Sequence, residues 1–131
     1  MSTQLVTVLP SQPVKEALAL FDQHHVHHLP VVEADRTLLG IFSVTDVARL
    51  LGRETDELDN LTVADVMSRG LAKLESNDNV ATAASLFMLN RFHSLPVVDG
   101  KRIIGILTTL DLIKLIDRED VELSDYDSKD S

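Results

Sequence analysis

The sequence predicts an α+β protein built from two copies of one β-α-β-β-α unit, and three observations carry this. The run His27-His-Leu-Pro-Val-Val32 recurs as His93-Ser-Leu-Pro-Val-Val98, a shift of 66. At that shift Val8 to Val32 aligns with Leu74 to Val98 with nine identities in 25 positions, among them Val14/Val80, Ala17/Ala83, Leu20/Leu86 and Phe21/Phe87. Past the second Val the shift becomes 65, and Gly40-Ile41 then meets Gly105-Ile106 while Asp46 meets Asp111. Helical spacing alone would not set Pro, Gly and Asp in the same order twice, so the repeat is real.

Each copy reads the same way along the chain. An extended stretch (Leu5 to Val8; Leu71 to Leu74) leads into a polar turn (Pro10 to Pro13; Ser76 to Asn79). Apolar residues at helical spacing follow: Val14, Ala17, Leu18 and Phe21, echoed by Val80, Ala83, Ala84 and Phe87. Pro30 and Pro96 end any helix, because the residue before Pro is pushed to extended geometry. Leu29 to Val32 and Leu38 to Phe42 flank a polar turn in a hairpin pattern. In the second copy that turn is Asp99-Gly100, a stronger hairpin signal. A second helix then carries Val47, Leu50 and Leu51, or Leu112, Leu115 and Ile116. The acidic stretch Gly52 to Asn60 reads as a linker. The chain thus divides into a first repeat over 1–57, a linker and second repeat over 58–120, and an acidic disordered tail over 121–131. One copy of about 55 residues buries too little core to stand well alone, and two packed together bury more.

Composition narrows the function. Hydrophobic residues make up 44% and charged residues 25%, the balance of a folded soluble protein. The net charge of −9 opposes broad contact with nucleic acid or an anionic membrane, both of which reward Lys and Arg. Asp117 to Ser131 contributes seven acids and two bases. Cys is absent, which removes disulfides, thiolate metal ligands and cysteine nucleophiles. No apolar run approaches the roughly 20 residues that span a bilayer, and no signal segment opens the chain. These features suit a cytoplasmic protein.

Two segments carry candidate chemistry. Ser43-Val-Thr-Asp46 and Thr108-Thr-Leu-Asp111 each join a strand end to a helix start. Ser or Thr three residues before an acid is a capping box, which needs no ligand. The same geometry presents a carboxylate able to accept from the two hydroxyls of a ribose. The cluster His24-His-Val-His-His28 invites a metal reading, but His24 and His28 share a helix face only if the helix runs to 28, and Pro30 argues that it does not. There is no Gly-x-Ser-x-Gly, Walker loop, His-Glu-x-x-His or Rossmann fingerprint. No enzyme, required cofactor or metal site is therefore expected.

The two Leu-Pro-Val-Val strands, the two Gly-Ile-aliphatic-Ser/Thr-x-x-Asp segments and Val63-Ala-Asp-Val-Met67 together resemble a CBS-domain pair, the tandem module named after cystathionine β-synthase. The resemblance runs from Leu5 to Ile116. The first copy departs from it in lacking the aliphatic-x-Asp-aliphatic-Met lead-in, since Met1 falls opposite Met67; the chain starts late or is a fragment. The resemblance implies two copies packed about a pseudo-two-fold axis, with two clefts that often hold adenosine-containing ligands, and dimers shaped as flat disks. It places the ribose acceptors at Asp46 and Asp111 beside Ser43 and Thr108. It faces base and phosphate with His27, His28, His93 and Ser94, and lines the base pocket with Val6 and Ala72. Ile41 and Ile106 flank an adenine or simply pack in the core. The expected function is regulatory sensing of an adenine nucleotide (AMP, ADP or ATP) or a related adenosyl compound, by a homodimer read by an unidentified regulated protein. The alternative is an interaction scaffold with no small ligand.

Overall fold

The computed structural model describes residues 4–52, 55–70, 72–90, 94–115 and 123. The chain divides into two compact units, one spanning Val6–Leu71 and the other Ala72–Ser131 with Met1–Leu5.

In the first unit, α1 (Val14–His24) follows Pro13, whose fixed φ of −60° suits a helix start. Val14 and Ala17 are buried, while Lys15, Glu16, Asp22 and Gln23 face water. The helix stops at His25, which adopts φ 53°. The amides of His25 and Val26 turn back onto the carbonyls of Asp22 and Phe21, satisfying helix-end acceptors. The chain then enters β1 (His28–Val32), which pairs antiparallel with β2 (Leu38–Ser43). Val8 bridges Val31 in parallel, so the lead-in segment sits where a third strand would be. β2 runs into α2 (Val44–Ala48).

The stretch read as a linker holds a helix of its own, α3 (Thr55–Asp59). Leu58 packs against the first unit's core, and Lys15 on α1 pairs with Asp59. After it, α4 (Val63–Val66) is stitched to the start of α1: Val14 donates to the carbonyl of Leu61, and Val63 to that of Gln12. Residues 58–70 thus belong with the first copy. The core gathers Val8, Val14, Ala17, Leu29, Val31, Phe42, Leu50, Val63 and Met67. Phe21 lies over Phe42 with ring centroids 5.4 Å apart.

The second unit repeats the pattern. β3 (Leu74–Glu75) pairs parallel with β4 (Ser94–Asp99), and β4 antiparallel with β5 (Arg102–Thr108), giving the order β3-β4-β5. Between β3 and β4 runs α5 (Val80–Asn90), and α6 (Thr109–Lys114) follows β5. The hairpin turn is Gly100-Lys101, closed by the pairing of Asp99 with Arg102 and so one residue past the Asp99-Gly100 turn read from the sequence, and Gly100 takes its first position at φ 66°. Both hairpins slip register at matched places, Val31/Val32 and Val97/Val98, so the repeat extends to its irregularity. Leu123 is buried in the second core, and its amide donates to the carbonyl of Asp78 at 3.2 Å. An ordered anchor therefore lies within 121–131, although that stretch reads as a tail. The rest of it lies outside the described residues.

The α+β tandem-repeat architecture expected from the sequence is the one found. Among the described residues no helix is long and apolar enough to cross a membrane.

Ile41 and Ser68 exchange main-chain hydrogen bonds of 3.0 and 2.8 Å. This brings the Ser68 carbonyl so close to Gly40 that a Cβ there would lie 2.5 Å from the oxygen and 3.0 Å from Met67 Sδ. Gly40→Ala should cost about 1–3 kcal/mol, since the backbone must shift to admit the methyl. Urea unfolding at fixed pH measures it; an unchanged midpoint would show that Ser68 is easily displaced.

Candidate functional site

Each strand–helix junction carries the box seen in the sequence. Ser43 ends β2 and caps α2 with extended backbone, φ −119° and ψ 167°. The amide and hydroxyl of Ser43 both donate to Asp46 Oδ2, at 2.9 and 3.1 Å, and the Asp46 amide donates back to Ser43 Oγ at 3.3 Å. Thr108 and Asp111 repeat this: the amide and hydroxyl of Thr108 donate to Asp111 Oδ2 at 3.0 Å each, and the Asp111 amide returns to Thr108 Oγ1 at 3.1 Å.

A third box provides an internal control. Thr62 donates its amide and hydroxyl to Asp65 Oδ2 at 2.9 and 3.0 Å, at the start of α4. Asp65 does this while open to solvent. Asp46 and Asp111 are 3% and 1% exposed. Capping therefore does not require burial, and the burial of those two carboxylates needs a separate reason. Taking a carboxylate out of water costs free energy unless donors replace the water.

Asp46 meets that cost inside its own unit. Its Oδ1 accepts from Ser68 Oγ at 2.9 Å and from Arg49 Nη1 at 3.1 Å. Neither donor was singled out from the sequence. Arg49 stands three residues after Asp46, a visible helical spacing. Ser68 is 22 residues away and reaches the acid only through its pairing with Ile41, which nothing in the local sequence announces.

The remaining candidates distribute as follows. His28 opens β1 opposite Ser43, half-buried, and Ser94 opens β4 opposite Thr108, also half-buried. His27 is exposed, and its carbonyl accepts from the Val44 amide at 3.1 Å. Ile41 is buried and Ile106 half-buried, opposite Pro30 and Pro96. Ile41 counts among the buried hydrophobic residues at 7% exposure, while the next residue along each strand, Phe42 and Leu107, packs in its unit's main cluster. Strand neighbours point to opposite faces, so Ile41 and Ile106 lie on the face away from Phe42 and Leu107. Val6 and Ala72 each lie half-buried beside their own unit's core. The first unit thus gathers His28, Ile41, Ser43 and Asp46 around one hairpin, and the second gathers Ser94, Ile106, Thr108 and Asp111. His93 lies outside the described residues. α1 ends at His24 while His28 begins a strand, so these two imidazoles do not form a helical pair. Among the described residues no group of three or more His, Asp or Glu is placed to hold a metal ion.

The CBS domain family model matches residues 1–53 and 63–118. The chain belongs to the CBS-domain family. A CBS domain-containing protein of Bacillus subtilis, YhcV, is 35% identical over 113 residues, covering 86% of this chain and 79% of that one. The crystal structure of CBSX2 from Arabidopsis thaliana in complex with AMP superposes with a TM-score of 0.76 at 31% identity, covering 87% of this chain and 90% of that one. The CBS pair of protein MJ0100, in complex with 5′-methylthioadenosine and S-adenosyl-L-methionine, gives 0.74 at 25% identity, covering 89% and 91%. Other curated relatives are longer enzymes, of which this CBS pair spans 20–23%.

The Thr62 amide, and then its hydroxyl, hold the Asp65 carboxyl below the usual aspartate range. A carboxyl depressed on folding contributes stability above its unfolded pKa, and loses it as pH falls through the lower folded value. A carbon-detected NMR titration should place the Asp65 midpoint below that of an unfolded aspartate. Thr62→Ala should raise it only part-way, because the larger contribution comes from the amide. Full return to the unfolded value would mean that the hydroxyl, and not the amide, holds the charge.

Proposed function

We propose that this CBS pair is a regulatory module that binds an adenine nucleotide or a related adenosyl compound, with Asp46 and Asp111 as ribose acceptors. The observation that carries this is the burial of those two carboxylates at matched strand–helix junctions, when the equivalent cap at Asp65 works in water. The AMP bound to CBSX2 and the adenosyl compounds bound to MJ0100 support the ligand class. Ile41 and Ile106, on the strand face opposite to Phe42 and Leu107, are the apolar flanks for a base in this reading. His27, His28, His93 and Ser94 are the phosphate-directed donors, and Val6 and Ala72 border the base. The module works by binding rather than turnover, in the cytoplasm: ligand favours one arrangement of the protein, and a partner reads that state.

Of the two acids, Asp111 serves the tighter site. Removing a hydrogen bond to a charged group costs about 1.5–3 kcal/mol, roughly tenfold to more than a hundredfold in affinity. Titration calorimetry with AMP and with S-adenosylmethionine should show that loss in Asp111→Ala and a smaller one in Asp46→Ala. A tight site lost only in Asp46→Ala would reverse the order. Binding unchanged in both would leave the acids as caps, and the protein as an interaction scaffold.

The working unit is a homodimer. Met88 and Leu89 on α5 and Leu110 and Ile113 on α6 are 58–81% exposed, and α5 carries no charge along its length. The repeat supplies a control, because Asp22 and Gln23 of α1 stand at the positions of Met88 and Leu89. The fold therefore does not need apolar residues there, and an apolar helix face left bare favours association. Sedimentation at tens of micromolar should find a dimer, which Met88→Asp with Leu89→Gln should dissociate. A wild-type monomer would remove the dimer from this reading.

A further inference from the structure

An ionised carboxylate has about four acceptor sites, and at Asp46 all four are filled by the protein itself. Oδ2 takes the amide and hydroxyl of Ser43, which cap α2. Oδ1 takes Ser68 Oγ at 2.9 Å and Arg49 Nη1 at 3.1 Å. A ribose diol needs two acceptor sites. Giving up the Ser43 pair would uncap the helix, so the diol must displace donors from Oδ1.

The two donors on Oδ1 differ in how firmly they are held. The Arg49 side chain is 71% exposed and can swing its guanidinium into water. Ser68 cannot retreat, because its amide and carbonyl are bonded to Ile41 at 2.8 and 3.0 Å and its carbonyl lies over Gly40. Its hydroxyl leaves Asp46 only by rotating about χ1. Resting on the adenosyl-binding reading above, we infer that Ser68, assisted by Arg49, is a specificity-determining latch on Asp46, closing that acceptor to a ribose until the hydroxyl turns away. Ser68 acts through the carboxylate and is a positioning residue.

The test uses the full chain in the Asp111→Ala background, where the Asp46 half reports alone, and in the otherwise unchanged chain, which guards against a fold defect from Asp111→Ala. The probes are adenosine, which lacks the phosphate that Arg49 would attract, and 2′-deoxyadenosine, which lacks half of the diol. Ser68→Ala should bind adenosine roughly tenfold more tightly or better, the scale of one hydrogen bond to a charged acceptor. Its gain for 2′-deoxyadenosine should be clearly smaller. Ser68→Thr keeps the hydroxyl and should match its parent. Arg49→Ala should gain only about two- to fivefold, as an exposed ion pair does. Equal gains for both nucleosides would place the effect away from the diol and overturn the latch. So would unchanged or weaker adenosine binding in Ser68→Ala while AMP still binds through Asp111, which leaves the adenosyl-binding reading standing. If no variant takes up adenosine and the unchanged chain takes up no AMP, both fall together.

Discussion

A carboxylate removed from water must find donors, and the strand–helix junctions of this chain are arranged around that requirement. At Asp46 the donors come from three places: the residue that ends the strand, the residue one turn along the helix, and Ser68 from a distant segment. The last of these needs the 67–68 backbone to lie directly against β2, and that approach is open only because position 40 has no side chain. Gly40, Ile41, Ser68 and Asp46 therefore form one constraint. The glycine admits the segment, the strand amide and carbonyl fix it, and the fixed segment delivers a hydroxyl to the acid. The Gly-Ile-x-Ser-x-x-Asp pattern is what this constraint looks like when written along the chain.

Most of the architecture was legible because the repeat checks itself. A single Leu-Pro-Val-Val run or Ser-x-x-Asp box is weak, but two of each in register fix the order of strands and helices and place the bulge-bearing hairpins. What escaped was structure that the repeat does not duplicate. α3 lies in a stretch that looks like linker because it is acidic. It is held by one apolar side chain, Leu58, and by Asp59 reaching Lys15 on α1, and neither contact has a periodic signature. Leu123 was hidden among acids for the same reason: one leucine in a polar run carries no pattern, yet it is buried in the second core. In the site, both acids and their hydroxyl partners were readable as boxes. Their burial was not, since an exposed box such as Thr62/Asp65 has the same spelling. Ser68 was out of reach altogether, because a 22-residue separation leaves no local trace.

The two copies have kept the same backbone while diverging on their surfaces. Asp22 and Gln23 on α1 answer to Met88 and Leu89 on α5, and Lys15 and Glu16 answer to Ala81 and Thr82. One helix is dressed for water and the other is not. Both copies use the buried face identically, with Val14 and Ala17 matched by Val80 and Ala83, so packing in the core did not force the difference. A protein of net charge −9 repels its own kind over most of its surface. In the homodimer proposed above, a charge-free helix is where two copies would approach without setting carboxylate against carboxylate.

The latch proposed at Asp46 would also change what a ribose is worth there. Under that proposal a diol at Asp46 would exchange hydrogen bonds rather than add them: Ser68 and Arg49 would leave as the two ribose hydroxyls enter, and the carboxylate would keep about four donors throughout. The displaced guanidinium regains water, since its side chain is already mostly exposed. The displaced serine hydroxyl must find another acceptor or stay unsatisfied, which costs free energy when buried. On that proposal the sugar would contribute little net affinity at this half, and the base and any phosphate would carry it. A ligand with a better base contact gains at Asp46, whereas one that differs only in its ribose does not.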